Sequence, residues 1–140
     1  MATKKFDVKI NGYWREPDIS SIPAQSGVYF VYECTFNREK KTVSLHKLIY
    51  IGESENVRNR IKNHEKWDDW KKHVREDNQL CFSFGTVPSA DRDRVEAAYI
   101  FKHKPPENTE YVISFPFDQT TVNSTGTTAL LVTNFTVYRS

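Results

Sequence analysis

The chain has 140 residues, a length that fits one domain and lets roughly two-thirds of the unfolded surface be buried on folding. Hydrophobic residues make up 38%, charged residues 27% and aromatic residues 14%, a globular balance that excludes a disordered or fibrous chain. The net charge of +2 hides an uneven distribution: Arg58, Arg60, Lys62, Lys66, Lys71, Lys72 and Arg75 crowd one stretch. Glu65, Asp68, Asp69, Glu76 and Asp77 share that stretch, so charge alone reads as a solvated helical face and does not show nucleic-acid binding. Cys34 and Cys81 have no CxxC spacing, which argues against a zinc site or a disulfide framework and for reduced core thiols. The opening Met1 to Phe6 carries no apolar leader, and no run approaches the ~20 apolar residues of a membrane span, so a cytoplasmic protein with no membrane contact is expected.

In chain order, Phe6, Val8 and Ile10 alternate with polar residues as in a half-buried strand, and Asn11-Gly12 predicts the turn that ends it. Pro17 to Ser26 reads as a loop. Gly27 to Tyr32 is rich in aromatic and β-branched residues and predicts a central strand, paired through a polar tip at Asn37 to Lys41 with a second apolar run, Leu48 to Ile51. After Gly52 the period changes. Val57, Arg60, Ile61 and His64 fall on one helical stripe with Ser54 as N-cap, and Trp67, Trp70 and Val74 carry the helix to about Asn78. Leu80, Phe82 and Phe84 alternate as a third strand. A second helix follows, capped by Ser89, displaying Val95, Ala98 and Tyr99, and ended by Pro105-Pro106. Strands are expected beyond Tyr111, at Val112 to Phe117, and at Leu130 to Tyr138, separated by a hydroxyl-rich loop from Thr120 to Thr128.

Two polar residues on an apolar stripe, Arg60 and His64, call for an explanation. Burying an unpaired guanidinium costs several kcal/mol, so either an anionic ligand awaits Arg60 or its side chain reaches out to a surface carboxylate. Around it stand Gly27-Val28-Tyr29, then Tyr50-Ile51-Gly52, then Ser54, Val57, Arg60 and His64, then Glu96, Ile100, Pro105 and Asn108. In joint occurrence and order this pattern resembles the GIY-YIG nuclease family over about residues 27–108. Val28 replaces the name-giving isoleucine, a β-branched exchange, and the hairpin between the triplets is longer than usual in the family.

The resemblance implies an α+β domain, a small and mainly antiparallel central sheet flanked by helices. The flanks 1–26 and 109–140 would add N- and C-terminal strands to what is read as one domain over 1–140. It also implies a metal-dependent endonuclease that hydrolyses phosphodiester bonds in DNA. RNA and branched DNA are further substrates to consider, and two copies would pair to cut both strands.

Glu96 is implied as ligand to Mg²⁺ or Mn²⁺, against the bland alternative of a surface pair with Arg92. Tyr29 is favoured as general base and Tyr50 as a second hydrogen-bonding or relaying phenol, their order left open, because a phenol with an ordinary pKa of about 10 needs a cation nearby to ionise. Arg60 would grip the scissile phosphate, and His64 would orient water, phosphate or tyrosine unless it is structural. Asn108 would hold either a loop or a phosphate. Arg58 and Lys62 would follow the nucleic-acid backbone, and Gly27 and Gly52 would let the backbone approach closely. Trp67 and Trp70 either pack in the core or stack on bases. The alternative for the whole chain is a non-catalytic nucleic-acid-binding or protein-interaction module on the same scaffold.

Overall fold

The computed structural model describes residues 3–140; Met1 and Ala2, the first residues of the segment read for a leader, lie outside the described residues. Six strands form one sheet: β1 (Lys4–Arg15), β2 (Gly27–Asn37), β3 (Thr42–Ser54), β4 (Gln79–Thr86), β5 (Thr120–Gly126) and β6 (Asn134–Val137). Their order across the sheet is β3-β2-β4-β1-β5-β6, and every pairing is antiparallel except β1 with β5. Helices α1 (Val57–Lys62), α2 (Trp67–Lys71) and α3 (Arg92–His103) flank it. The expected α+β class and mainly antiparallel sheet are therefore present, with the N- and C-terminal segments contributing strands to the same sheet. Among the described residues no helix is long and apolar enough to cross a membrane.

The sheet is covered on both faces, which explains why β2 reads as a continuous apolar run. Val28, Phe30, Tyr32 and Cys34 face α3 and pack with Val95, Ala98 and Tyr99. Tyr29 and Val31 face the opposite way and pack with Val57, Ile61, Trp70, Leu80 and Phe82 beneath α1 and α2. Cys34 and Cys81 are both buried and free on neighbouring strands.

Several expectations are corrected. Asn11-Gly12 does not end β1: pairing with β4 continues through Asn11↔Phe84 and Gly12↔Ser83 to Arg15↔Cys81, past a register shift between Gly12 and Trp14. A bulge absorbs the irregularity that the sequence presents as a turn.

The single helix to Asn78 is two short ones. Asn63 ends α1, its Nδ2 donating to the Asn59 carbonyl at 3.1 Å, and the Lys66 amide donates to His64 Nδ1 at 3.0 Å. Side chains thus take the backbone groups that a continuing helix would have used. The cap of α1 is Asn56, whose Oδ1 accepts from the Asn59 amide at 3.1 Å, while Ser54 Oγ accepts from the Asn56 amide one step earlier. Ser89 likewise precedes its helix in a short 3-10 turn and makes no side-chain cap.

The hydroxyl-rich loop is β5. Its inward residues are Thr120, Val122 and Ser124, and the two hydroxyls are satisfied from α3: Arg94 Nε donates to Thr120 Oγ1 at 2.8 Å, and Tyr99 shares a 2.5 Å hydrogen bond with Ser124. Val112 to Phe117, expected as a strand, has no ladder partner among the described residues. Tyr111 sits at positive φ, Pro116 offers no amide, Phe115 is buried and Ile113 is exposed. Of Leu130 to Tyr138 only Asn134–Val137 is strand, since Leu130 is also at positive φ.

Candidate active site

At the edge strand β3 the two faces of the sheet meet in a cleft of about 350 Å³. Tyr29 and Tyr50 enter it from the α1/α2 side, Asp93, Glu96 and Ile100 from successive turns of α3, and residues 107–111 close it as a loop. Arg60, Lys66 and Glu53 complete the polar rim.

Tyr29 reaches the cleft because Gly52, its partner across the β2/β3 pair, has no side chain. A Cβ built at Gly52 would collide with the Tyr29 ring and hydroxyl. The phenol therefore lies across β3 towards the open edge. Gly52→Ala is expected to cost about 1–3 kcal/mol of stability by overpacking and to displace Tyr29 from the cleft; chemical denaturation reads the first effect and nuclease assay the second. Gly27 is crowded in the same way by the Gly85 carbonyl and the Phe84 ring.

The loop is pinned by Asn108. Its Oδ1 accepts from the Ile51 amide at 2.9 Å and its Nδ2 donates to the Ile51 carbonyl at 2.8 Å, so one side chain substitutes for a neighbouring strand. The Glu107 amide adds a hydrogen bond to the Ile49 carbonyl at 3.1 Å.

The electrostatics of the cleft are unbalanced. Five carboxylates line it, of Glu53, Asp93, Glu96, Glu107 and Glu110, against the cations Arg60 and Lys66. Arg92 neutralises Glu53 at 2.7 Å and His73 bonds Glu107 at 2.7 Å. Among the described residues no cation pairs with Glu96. Burial, reinforced by Glu53, Asp93 and Glu110, pushes the Glu96 carboxyl up to about 8. Burial also raises both phenols, Tyr50 to about 12 and Tyr29 well above the ordinary range, with the Arg60 guanidinium opposing the rise at each.

His64 is pulled down to about 4 by burial and by Arg60, so it is neutral at pH 7. Its Nδ1 accepts from Lys66, which leaves the proton on Nε2. That Nε2 and Trp70 Nε1 find no acceptor among the described residues, and the two rings lie 4.4 Å apart between centroids, with Tyr50 at 5.3 Å from His64.

The family description "GIY-YIG catalytic domain" matches residues 25–110. The chain belongs to the GIY-YIG family. No curated protein and no solved structure matches it. GIY-YIG domains act as nucleases on nucleic acids, which gives the chain a nuclease-type activity in general terms.

Within this GIY-YIG domain the residues picked from the sequence are sorted by the fold. Tyr29, Tyr50, Arg60, Glu96 and Asn108 line one cleft. His64 is buried behind Tyr50 rather than displayed on a helical stripe. Glu96 does not pair with Arg92, which is committed to Glu53 and Ser26. Arg60 does reach a surface carboxylate, Glu65. Asn108 spends both ends of its amide on the β3 backbone, the loop-holding role of its two readings.

Arg58 and Lys62 do not line the cleft: Arg58 Nε donates to the Ile22 carbonyl at 2.6 Å, and Lys62 is solvent-exposed. The basic stretch is largely self-satisfied, with Lys71 on Glu16, Lys72 on Asp69 and Arg75 on Glu33. Trp70 is fully buried and Trp67 stacks on Phe82, so both pack rather than present a base-stacking face.

Sequence reasoning missed Glu53, Asp93, Glu110 and Lys66 as cleft residues. Asp93 carried a signal, standing three residues before Glu96 and seven before Ile100 on one helical face. Glu110 carried none, because a loop has no periodicity to place it.

Proposed function

We propose that this chain is a metal-dependent endonuclease that hydrolyses phosphodiester bonds in DNA at the β3-edge cleft. The observation that carries the reading is Glu96, a half-buried carboxyl held up to about 8 among other acids, in the same cleft as two phenols and a guanidinium. A phosphodiester would be repelled by such a rim unless a cation came with it.

The donor set fits a hard divalent ion. All the acids are oxygen donors, and among the described residues no three His, Cys, Asp or Glu side chains are grouped to hold a metal by themselves. That suits Mg²⁺ or Mn²⁺, which keep several waters and need only one or two carboxylates, better than a closed zinc cage. Glu96 would be the protein ligand, and the ion would neutralise the phosphate and the departing oxygen.

The chain's own residues supply the rest. Tyr29 first gives its phenol proton to solvent; a water oxygen then attacks phosphorus, the bond from phosphorus to one sugar oxygen breaks, and the water's proton passes to the Tyr29 phenolate while the departing oxygen takes a proton from solvent or from Tyr50. The Arg60 field favours the phenolate and its planar fork matches two phosphate oxygens. His64, neutral and buried, supports Tyr50 from behind. Asn108 fixes the loop that walls the cleft.

Supercoiled plasmid, linear duplex, branched DNA junction and single-stranded RNA, each with Mg²⁺ or with chelator, test the reading. Metal-dependent DNA products are expected. Nicked plasmid would indicate one copy cutting one strand, and linear product two copies acting together. Binding without product under all conditions would replace the endonuclease by a binding module on the same scaffold.

A further inference from the structure

Arg60 is the guanidinium of the cleft, yet both arms of its fork are occupied by one carboxylate. Nη1 donates to Glu65 Oε2 at 2.7 Å and Nη2 donates to Glu65 Oε1 at 2.8 Å. Two parallel charge-assisted bonds of this kind are also how a guanidinium holds a phosphate. We propose that Glu65 is a built-in substrate mimic, its carboxylate standing on Arg60 where a nucleic-acid phosphate binds and swinging out when the phosphate arrives. This rests on reading the cleft as a nuclease site. Glu65 touches no substrate atom; it holds Arg60, and its Oε2 also lies 3.5 Å from His64 Nδ1.

The setting of Glu65 suits a group that leaves. It lies in the turn between α1 and α2, its side chain is 66% exposed against 37% for Arg60, and it packs in neither core cluster. Moving it uncovers no apolar surface. An exposed pair is also weak, so a phosphate arriving with its own contacts would outcompete it.

The mimic has an effect on the reacting groups as well as on the binding site. At both Tyr29 and Tyr50 the Arg60 charge favours the phenolate, while the Glu65 charge opposes it. With the carboxylate in place the cleft binds less and its phenols ionise less; with a phosphate there instead, Arg60 serves the substrate. The pairing thus holds the cationic side of an acidic cleft in one defined position without leaving it free to collect other anions.

The test is binding of a short labelled DNA duplex in Ca²⁺, a hard oxygen-binding ion in place of Mg²⁺, read by fluorescence anisotropy, for wild type, Glu65→Gln, Glu76→Gln, Arg60→Ala and the double variant Arg60→Ala/Glu65→Gln. Glu76 is exposed in the loop after α2 and loses the same charge without touching Arg60. Glu65→Gln is expected to tighten binding about two- to fivefold, the range that release of an exposed ion pair allows. Glu76→Gln should not match that gain, and Glu65→Gln should add nothing once Arg60 is alanine.

Unchanged or weaker binding by Glu65→Gln overturns the mimic. So does an equal gain in Glu76→Gln or in the Arg60→Ala background, or no binding by any variant. In Mg²⁺ the gain should fall on KM rather than kcat. Tighter binding by Glu65→Gln without cleavage by any variant would sink the nuclease reading and keep the mimic; cleavage with unaltered Glu65→Gln binding would do the reverse.

Discussion

Replacing Glu96 with glutamine is expected to lower Mg²⁺-stimulated cleavage on the order of a thousandfold or more while making the metal-free protein more stable at neutral pH. The two effects have one cause. Folding raises the Glu96 pKa from 4.5 to about 8, so the folded state binds more protons than the unfolded state throughout that window. Stability therefore falls as pH rises from about 4.5 to about 8, and the loss is complete above the folded pKa. At pH 7 the folded carboxyl is mostly protonated, and holding that proton against the lower unfolded-state pKa costs on the order of 1–3 kcal/mol, discounted for the exposure of a half-buried group.

Glutamine removes that cost. Thermal melts without metal should show Glu96→Gln above wild type at pH 7.5 and equal to it below about pH 4.5. Added Mg²⁺ should raise the wild-type melting temperature at pH 7.5 and leave the variant unmoved. Equal response of both proteins to the ion would remove Glu96 as its ligand, whatever the cleavage assay gives.

The second large effect is expected at Tyr29. Tyr29→Phe should keep the fold, because the ring fills the space over Gly52 and the hydroxyl makes no hydrogen bond to another described residue. Cleavage should nevertheless fall about 10²- to 10⁴-fold at unchanged KM, the span associated with loss of a general base. Tyr50→Phe should cost less, on the order of tenfold, since its half-exposed phenol is the relaying group.

Single-turnover rates of the two variants side by side decide the order. A larger loss in Tyr50→Phe would exchange the two roles. Such an exchange has a physical basis, since burial holds Tyr29 further above the usual phenol range than Tyr50, which reaches about 12.

Much of the fold was legible because its strongest signals are periodic or locally punctuated. β2, β3, β4 and α3 are each apolar on a side that the sheet buries, and Pro105-Pro106 ends α3 just after Lys104 adopts a left-handed cap. β5 was illegible for the opposite reason. Two of its three inward side chains, Thr120 and Ser124, are hydroxylic, and they are tolerable in the core only because Arg94 and Tyr99 meet them, which no local window of sequence contains.

The cleft was legible as a set of residue types and not as an arrangement. Tyr29, Tyr50, Arg60 and Glu96 stood out in order along the chain, but the acid surplus around Glu96 arises where α3, β3 and the loop at 107–111 converge. Arg58 and Lys62 looked like backbone followers by charge alone. Only the fold shows Arg58 tied to Ile22 and neither residue facing the cleft.

The parallel pairing of β1 with β5 sets an order on biosynthesis. Lys4 to Ile10 are synthesised before the other strands of the sheet, yet their partners Thr120 to Gly126 are made more than a hundred residues later. Every residue that lines the cleft has been made by Tyr111, so the catalytic half can assemble while β1 still presents an unpaired edge. That edge, apolar at Phe6, Val8 and Ile10 on its core face, is the part of the nascent chain most open to pairing with another molecule until β5 docks. Completion of the sheet is accordingly limited by its least local contact, and the later strands β5 and β6 protect the earlier β1.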